Sequence, residues 1–313
     1  MPLSRLFCKK YCGLQKRLVQ LCQQTLPLRK FLCMRRITFY ILPFAFYLIS
    51  CSSNNVTEDS DLKKYFDNAH VSGCFGLFDN AQGHFTIYNL AGFKDSAYLP
   101  ASTFKIVNSL IGIEKGIISN ENMVIKWDGV TRYYANGDTA VAWNKDLTMK
   151  EAFKVSAIPY YQEVARRIGK DTMQRYLDTL GYGRRYGKFS IKNNIDTFWL
   201  DNSLKITADE ELGLVKKLYF DQLPFFKSTQ KMVRNVMLQE DNANYKLSYK
   251  TGLGFSPNGN QTGWIVGWVE ENRHPYFFVL QLISPDRHFN MQAACSGILK
   301  SILKEKGFFE GKK

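Results

Sequence analysis

The hydrophobic period changes at about residue 245, and this change constrains the fold more than any other feature of the sequence. Residues 245–251, 263–270 and 276–283 read as strands joined by turns that carry Gly, Asn and Pro, and residues 289–304 read as a closing helix. Far upstream, 71–78 and 84–89 flank the turn-rich Asp79-Asn80-Ala81-Gln82-Gly83 as a β-hairpin. Between the two strand regions, residues 145–240 are mostly helical, with Val164, Ile168, Tyr176, Leu177 and Leu180 at helical spacings. Thr207-Ala208-Asp209-Glu210 is a capping box ahead of Leu212, Val215, Leu218 and Tyr219. The order predicts an α+β protein: a largely antiparallel sheet flanked by helices, with a helical lobe inserted at about 120–240.

The 313 residues, 45% hydrophobic and 14% aromatic, suffice for a substantial core. A net charge of +14 suggests a nucleic-acid binder, but its distribution argues otherwise. Residues 1–50 hold 9 Lys and Arg and no Asp or Glu; beyond them, 33 basic residues face 28 acidic ones. That is an ordinary surface without a basic stripe, so no nucleic-acid partner is expected. Of the seven cysteines, Cys8, Cys12, Cys22 and Cys33 fall in the basic leader. Only Cys74 and Cys295 belong to the expected folded part, as a disulfide or as two separate buried thiols. The histidines His70, His84, His274 and His288 have no metal-ligand spacing, and no metal is expected.

Residues 1–50 read as a leader. Met34-Arg35-Arg36 is a short basic region, and the apolar run over 37–49 is too short to span a bilayer comfortably. Residues 1–33 have no place in this scheme, which makes Met34 the expected start. Leu48-Ile49-Ser50-Cys51 resembles the lipobox of bacterial lipoproteins, in which the cysteine is lipidated. The resemblance implies an exported protein held to a membrane through Cys51, facing the periplasm or cell surface. An uncleaved N-terminal anchor is the alternative. Residues 51–64 read as a tether, and 65–308 as the folded domain.

Ser102-Thr103-Phe104-Lys105 places a serine and a lysine one helical turn apart, on one face. Pro100 precedes them and Ile106, Val107, Leu110, Ile111 and Ile113 follow, so Ser102 lies near a helix N-terminus. A serine needs a neighbouring base to become a nucleophile, and Lys105 can serve only if it is not protonated. Such a pattern arises by chance about once in a chain of this length, so partners must carry the case. Lys250-Thr251-Gly252, read at the end of the strand Lys246-Leu247-Ser248-Tyr249, offers a cation, a hydroxyl and backbone N–H groups. Ser156-Ala157-Ile158, opening a helical stretch, would alone be an N-cap serine.

Together and in this order, the three motifs resemble those of the penicilloyl-serine transferases. Within that superfamily the chain resembles the class D, oxacillinase-type β-lactamases. Further blocks carry the likeness: 156–159, 161–169, Phe198-Trp199-Leu200, Leu204-Lys205-Ile206 and 263–270, so that it covers roughly residues 65–305. The resemblance implies the β-lactamase and penicillin-binding-protein fold, with hydrolysis of β-lactams through an acylated Ser102. Burial among Phe104, Ile158 and Trp199 should favour a neutral Lys105 amine. In class D enzymes such a lysine takes up carbon dioxide as a carbamate, the general base for acylation and deacylation. By the same resemblance Trp199 donates its indole N–H to the carbamate. Ser156 relays a proton to the leaving nitrogen in the field of Lys250, and the N–H groups of Ser102 and Leu253 hold the oxyanion. Thr251, Gly252 and Ile158 line the substrate site.

The chain departs from the family pattern in two places. Tyr182-Gly183-Arg184 and Tyr186-Gly187-Lys188 compete for the position of the usual Tyr-Gly-Asn. The usual carboxylate-binding arginine falls where Ala293 stands, and Arg287, six residues earlier, is the candidate. A penicillin-binding transpeptidase, a β-lactam sensor domain and an inactive lipoprotein of the same fold are the rival roles. The Trp199 block and compact length argue against the first, and the single short apolar segment against the second.

Overall fold

The computed structural model describes residues 55–134 and 137–313; the leader, its apolar run and Cys51 lie outside the described residues. The first half of the chain carries β1 (Val56–Glu58), α1 (Lys63–Asn68), β2 (Ser72–Asp79), β3 (His84–Tyr88), α2 (Leu90–Asp95), β4 (Ala97–Tyr98), α3 (Lys105–Glu114), β5 (Val124–Ile125) and β6 (Leu147–Thr148). A helical run follows: α4 (Met149–Lys154), α5 (Ile158–Ile168) and α6 (Lys170–Leu180), then β7 (Ile206–Thr207), α7 (Ala208–Tyr219) and α8 (Lys227–Met237). The chain returns to the sheet with β8 (Leu238–Asp241), β9 (Lys246–Phe255), β10 (Gln261–Glu271) and β11 (His274–Ser284), and closes with α9 (Met291–Glu305).

The main sheet runs β1-β3-β2-β11-β10-β9-β8. All its pairings are antiparallel except that of β1 with β3. The hairpin β2–β3 turns where Asp79 accepts hydrogen bonds from the N–H groups of Ala81 and Gln82. Both faces of the sheet are covered, so β10 and β11 are buried almost throughout and read as continuous apolar runs. Side-chain alternation then sorts residues between two cores. Trp264, Val266, Trp268, Phe277 and Val279 face the core shared with the helical lobe. Ile265, Val269, Phe278, Leu280 and Leu282 face α1 and α9. Each fully buried aliphatic or phenyl side chain contributes about 1.5–3 kcal/mol by leaving water.

The same alternation settles the two thiols. Cys74 belongs to the core on the lobe side and Cys295 to the core under α9, so the sheet separates them. Both are free and buried, and burial pushes each thiol up to about 12.

Three expectations are corrected. The tether predicted over 51–64 ends early: Val56–Glu58 pairs in register with 85–87, and Leu62 is fully buried. Lys250-Thr251-Gly252 lies in the interior of β9, which continues to Phe255, rather than at a strand end. Ser156 caps no helix; Ala157 is the N-cap residue of α5, and Ser156 occupies the link from α4 at φ +54°. The capping box at Thr207 and Glu210 forms as predicted, and a second one, Thr148 with Glu151, starts α4.

Candidate active site

The turn that carries Ser102 is built before α3 begins. Residues Ala101–Phe104 form a tight 3-10 turn that runs into the helix at Lys105. Its entry is strained, since Ala101 sits at φ +49°, a left-handed conformation costly for any residue with a Cβ. Neighbours hold it there. The Ala101 N–H donates to the Trp199 carbonyl at 3.0 Å, and the Thr103 N–H and hydroxyl both reach the Pro100 carbonyl, at 3.2 and 2.8 Å. The Trp264 indole donates to the Leu99 carbonyl at 2.9 Å, fixing the turn to the sheet.

Ser102 on this turn is 8% exposed and Lys105, the first residue of α3, is not exposed at all. Lys105 Nζ lies 2.6 Å from Ser102 Oγ and 5.7 Å from the centre of the Tyr161 ring. Burial, and after it the charge of Lys250, holds the Lys105 amine well below the usual lysine range. A neutral amine at this distance can accept the serine proton. The Phe104 ring stacks on Trp199 with centres 5.1 Å apart, and Phe198 meets both edge-on. The Trp199 Nε1 hydrogen is buried and finds no acceptor among the described residues.

Strand β9 brings the second cation. Lys250 is 4% exposed; its Nζ donates to Ser156 Oγ and to the Thr251 carbonyl, each at 2.9 Å, beside the Phe153 ring. Burial pushes the Lys250 ammonium down to about 7. Gly252 explains how the strand approaches so closely, because a Cβ there would sit 2.9 Å from the Pro100 carbonyl oxygen. Leu253 follows on the strand with a side chain 44% exposed, and Thr251 is half-buried.

The structure thus brings together Ser102, Lys105, Ser156, Lys250 and Trp199, which lie far apart in the sequence. Ile158, the first residue of α5, is partly exposed, and the ring facing the Lys105 amine belongs to Tyr161 instead. Arg287 is exposed on the loop before α9, its guanidinium 5.6 Å from the centre of the Phe255 ring at the end of β9. Ala293, where the family arginine was expected, is exposed in the first turn of α9.

Two further residues flank the turn: Tyr182, one of the two tyrosines that competed for the Tyr-Gly-Asn position, and Glu211, which sequence reasoning missed. Tyr182 is buried edge-on to Phe104, with its hydroxyl on Glu211. Glu211 is fully buried and also bonded to Thr103. A signal for it existed: Glu211 stands four residues before Val215 and seven before Leu218, on the apolar stripe of α7.

Comparison with known proteins gives a consistent picture. The penicillin-binding protein transpeptidase domain family matches residues 63–304. The chain is 36% identical over 251 residues to β-lactamase OXA-5 of Pseudomonas aeruginosa, covering 80% of this chain and 90% of that protein. It is 39% identical over 229 residues to β-lactamase OXA-48 of Klebsiella pneumoniae, covering 73% and 82%. Among solved structures, the class D β-lactamase FUS-1 (OXA-85) of Fusobacterium nucleatum subsp. polymorphum superposes with a TM-score of 0.72. Its identity is 31%, and the match covers 81% of this chain and all of that one.

Proposed function

The chain belongs to the class D serine β-lactamases, hydrolases of cyclic amides, and from that premise we propose that Ser102 is the residue acylated and Lys105 the base that activates it. The observation that carries the proposal is the wholly buried Lys105 amine, 2.6 Å from Ser102 Oγ, in surroundings that hold it well below the usual lysine range. The residues around it suit a carbamate. A neutral amine is the form that adds carbon dioxide, and the buried Trp199 indole N–H is a donor without a protein acceptor. With carbon dioxide bound, Lys105 would gain an anionic oxygen base able to take the proton of Ser102 and later that of water.

The chain's own groups divide the remaining work. Ser102 Oγ attacks the lactam carbonyl, and the backbone N–H groups of Ser102 and Leu253 stabilise the oxyanion. Ser156, bonded to Lys250, passes a proton to the leaving nitrogen, so the ring opens to a secondary amine. Lys250 and Thr251 receive the substrate carboxylate, and Arg287 adds charge at the rim beside Phe255. Gly252 admits the substrate by keeping the strand close to the turn. An anionic substrate would raise the Lys250 ammonium from its value of about 7, so binding and protonation reinforce each other.

Cys51 is proposed as a lipidated residue that holds the exported enzyme to a membrane, on the pattern of Leu48-Ile49-Ser50-Cys51. Cys51→Ser should move the protein from the membrane fraction to the soluble one; unchanged fractionation contradicts the anchor. The test of the catalytic assignment is mass spectrometry during turnover of a chromogenic cephalosporin. Wild-type protein should carry a transient adduct on Ser102, and Ser102→Ala should carry none; an adduct on another residue overturns the assignment.

A further inference from the structure

We infer that Glu211 is a positioning residue: a neutral carboxylic acid that locks the nucleophile turn from beneath by sharing a proton with Thr103. The inference rests on the reading of Ser102 as the nucleophile and extends it to a buried acid on another helix.

The hydrogen count carries the argument. Three short contacts meet at this spot: Thr103 Oγ1 with the Pro100 carbonyl at 2.8 Å, Thr103 Oγ1 with Glu211 Oε1 at 2.6 Å, and the Tyr182 hydroxyl with Glu211 Oε1 at 3.0 Å. Thr103 and Tyr182 own one hydroxyl hydrogen each, and a carbonyl or carboxylate oxygen owns none. Two hydrogens fill three contacts only if one of them is split between two acceptors, which weakens both bonds. A proton on Glu211 supplies the third: the acid donates to Thr103, Thr103 donates to Pro100, and Tyr182 donates to the acid.

Burial points the same way. Glu211 is fully buried, and no protein group reaches its Oε2 among the described residues. A carboxylate would carry half its charge on that bare oxygen, at a desolvation cost that a neutral carbonyl largely escapes. Nor does any ammonium or guanidinium pair with it among the described residues. The ionisable groups that act on it are Tyr182, from the loop after α6, and Glu210, its neighbour on α7. Desolvation, with a smaller contribution from Glu210, lifts the Glu211 carboxyl to about 7 against the opposing pull of the Thr103 and Tyr182 hydroxyls.

The consequence falls on Ser102. Thr103 is the next residue, and its bond to Pro100 closes the turn whose entry, Ala101, is strained. The acid therefore ties α7 to the turn that aims the nucleophile, without touching substrate. Misplacing a reacting atom by about 1 Å can cost roughly a hundredfold in rate.

The experiment compares wild type, E211Q and E211A by infrared difference spectroscopy and by the rate of Ser102 acylation. A glutamine amide can donate to Thr103 and accept from Tyr182, so E211Q reproduces the neutral acid. Below about pH 7 wild type should show a protonated-carboxyl band that is absent from E211Q. E211A should acylate at least about tenfold more slowly, with the loss in kcat rather than KM, and E211Q should recover most of that rate. No such band, an unimpaired E211A or an E211Q as slow as E211A overturns the inference. Should E211A fail to fold, the band and the E211Q rate decide. Wild-type acylation is the internal control: if Ser102 takes no adduct, the nucleophile assignment falls, and this inference with it.

Discussion

Lys105 and Lys250 are both buried amines, and their different partners suit them to the different roles proposed for them. Lys105 meets a hydroxyl and an aromatic ring, and its amine is held well below the usual lysine range. Lys250 has two oxygen acceptors and remains near 7. Its sign follows from linkage: the folded-state value lies below the unfolded 10.5, so its contribution to stability is present above that value and lost as pH falls through about 7. For binding the direction reverses, since in the proposed mechanism it is the ammonium that attracts the substrate carboxylate. KM for a carboxylate-bearing penicillin should therefore rise above about pH 7, where the free enzyme loses that proton. An ester analogue should show no such rise, and an equal rise for both would remove Lys250 from carboxylate binding. Ser156→Ala should slow acylation by about a hundredfold or more while the unfolding midpoint stays put. An unchanged rate would dismiss Ser156 as the proton relay. Lys105→Ala should be inactive, and added bicarbonate should not restore it.

At the scale of elements, the site depends on how closely β9 can lie against the 3-10 turn. Gly252→Ala would push a methyl to 2.9 Å from the Pro100 carbonyl. Overpacking of this kind costs about 1–3 kcal/mol, read as a lowered unfolding midpoint, and should slow acylation as well. A variant with wild-type midpoint and rate would mean that the contact is slack. Most of these elements were legible in the sequence, because hairpin, helices and C-terminal strands each bury a face and so carry a period. The extent of β9 was not. Gly252 and Gly254 interrupt its apolar alternation, and their reason, the approach of the turn, is a tertiary contact. Ser156 read as a cap because serine commonly is one; its left-handed backbone and its bond to Lys250 involve a residue distant in sequence. Glu211 was hidden differently: an acid on an apolar stripe looks like noise until Thr103 and Tyr182 are seen around it.

Across the whole molecule, the sheet divides two cores, and the chemistry uses only one of them. Cys295 packs behind the sheet, away from Cys74, so reductant should leave stability unchanged, and a lowered unfolding midpoint would contradict the separation. On the lobe side, Glu211 makes stability depend on pH. Its carboxyl is raised from 4.5 to about 7, so its contribution is fully present below about 4.5 and lost as pH rises through 7. The shift corresponds to on the order of 3 kcal/mol, and E211Q should flatten that part of the profile. The proposed chemistry depends on one dry pocket that holds the Lys105 amine well below the usual lysine range. Carbon-13 NMR of the enzyme equilibrated with labelled bicarbonate tests this most directly. A carbamate resonance should appear in wild type, fade as acid protonates the amine, return with neutral bicarbonate together with activity, and be absent from Lys105→Ala. A fully active wild-type enzyme without that resonance, or a resonance that survives in Lys105→Ala, would contradict the central claim.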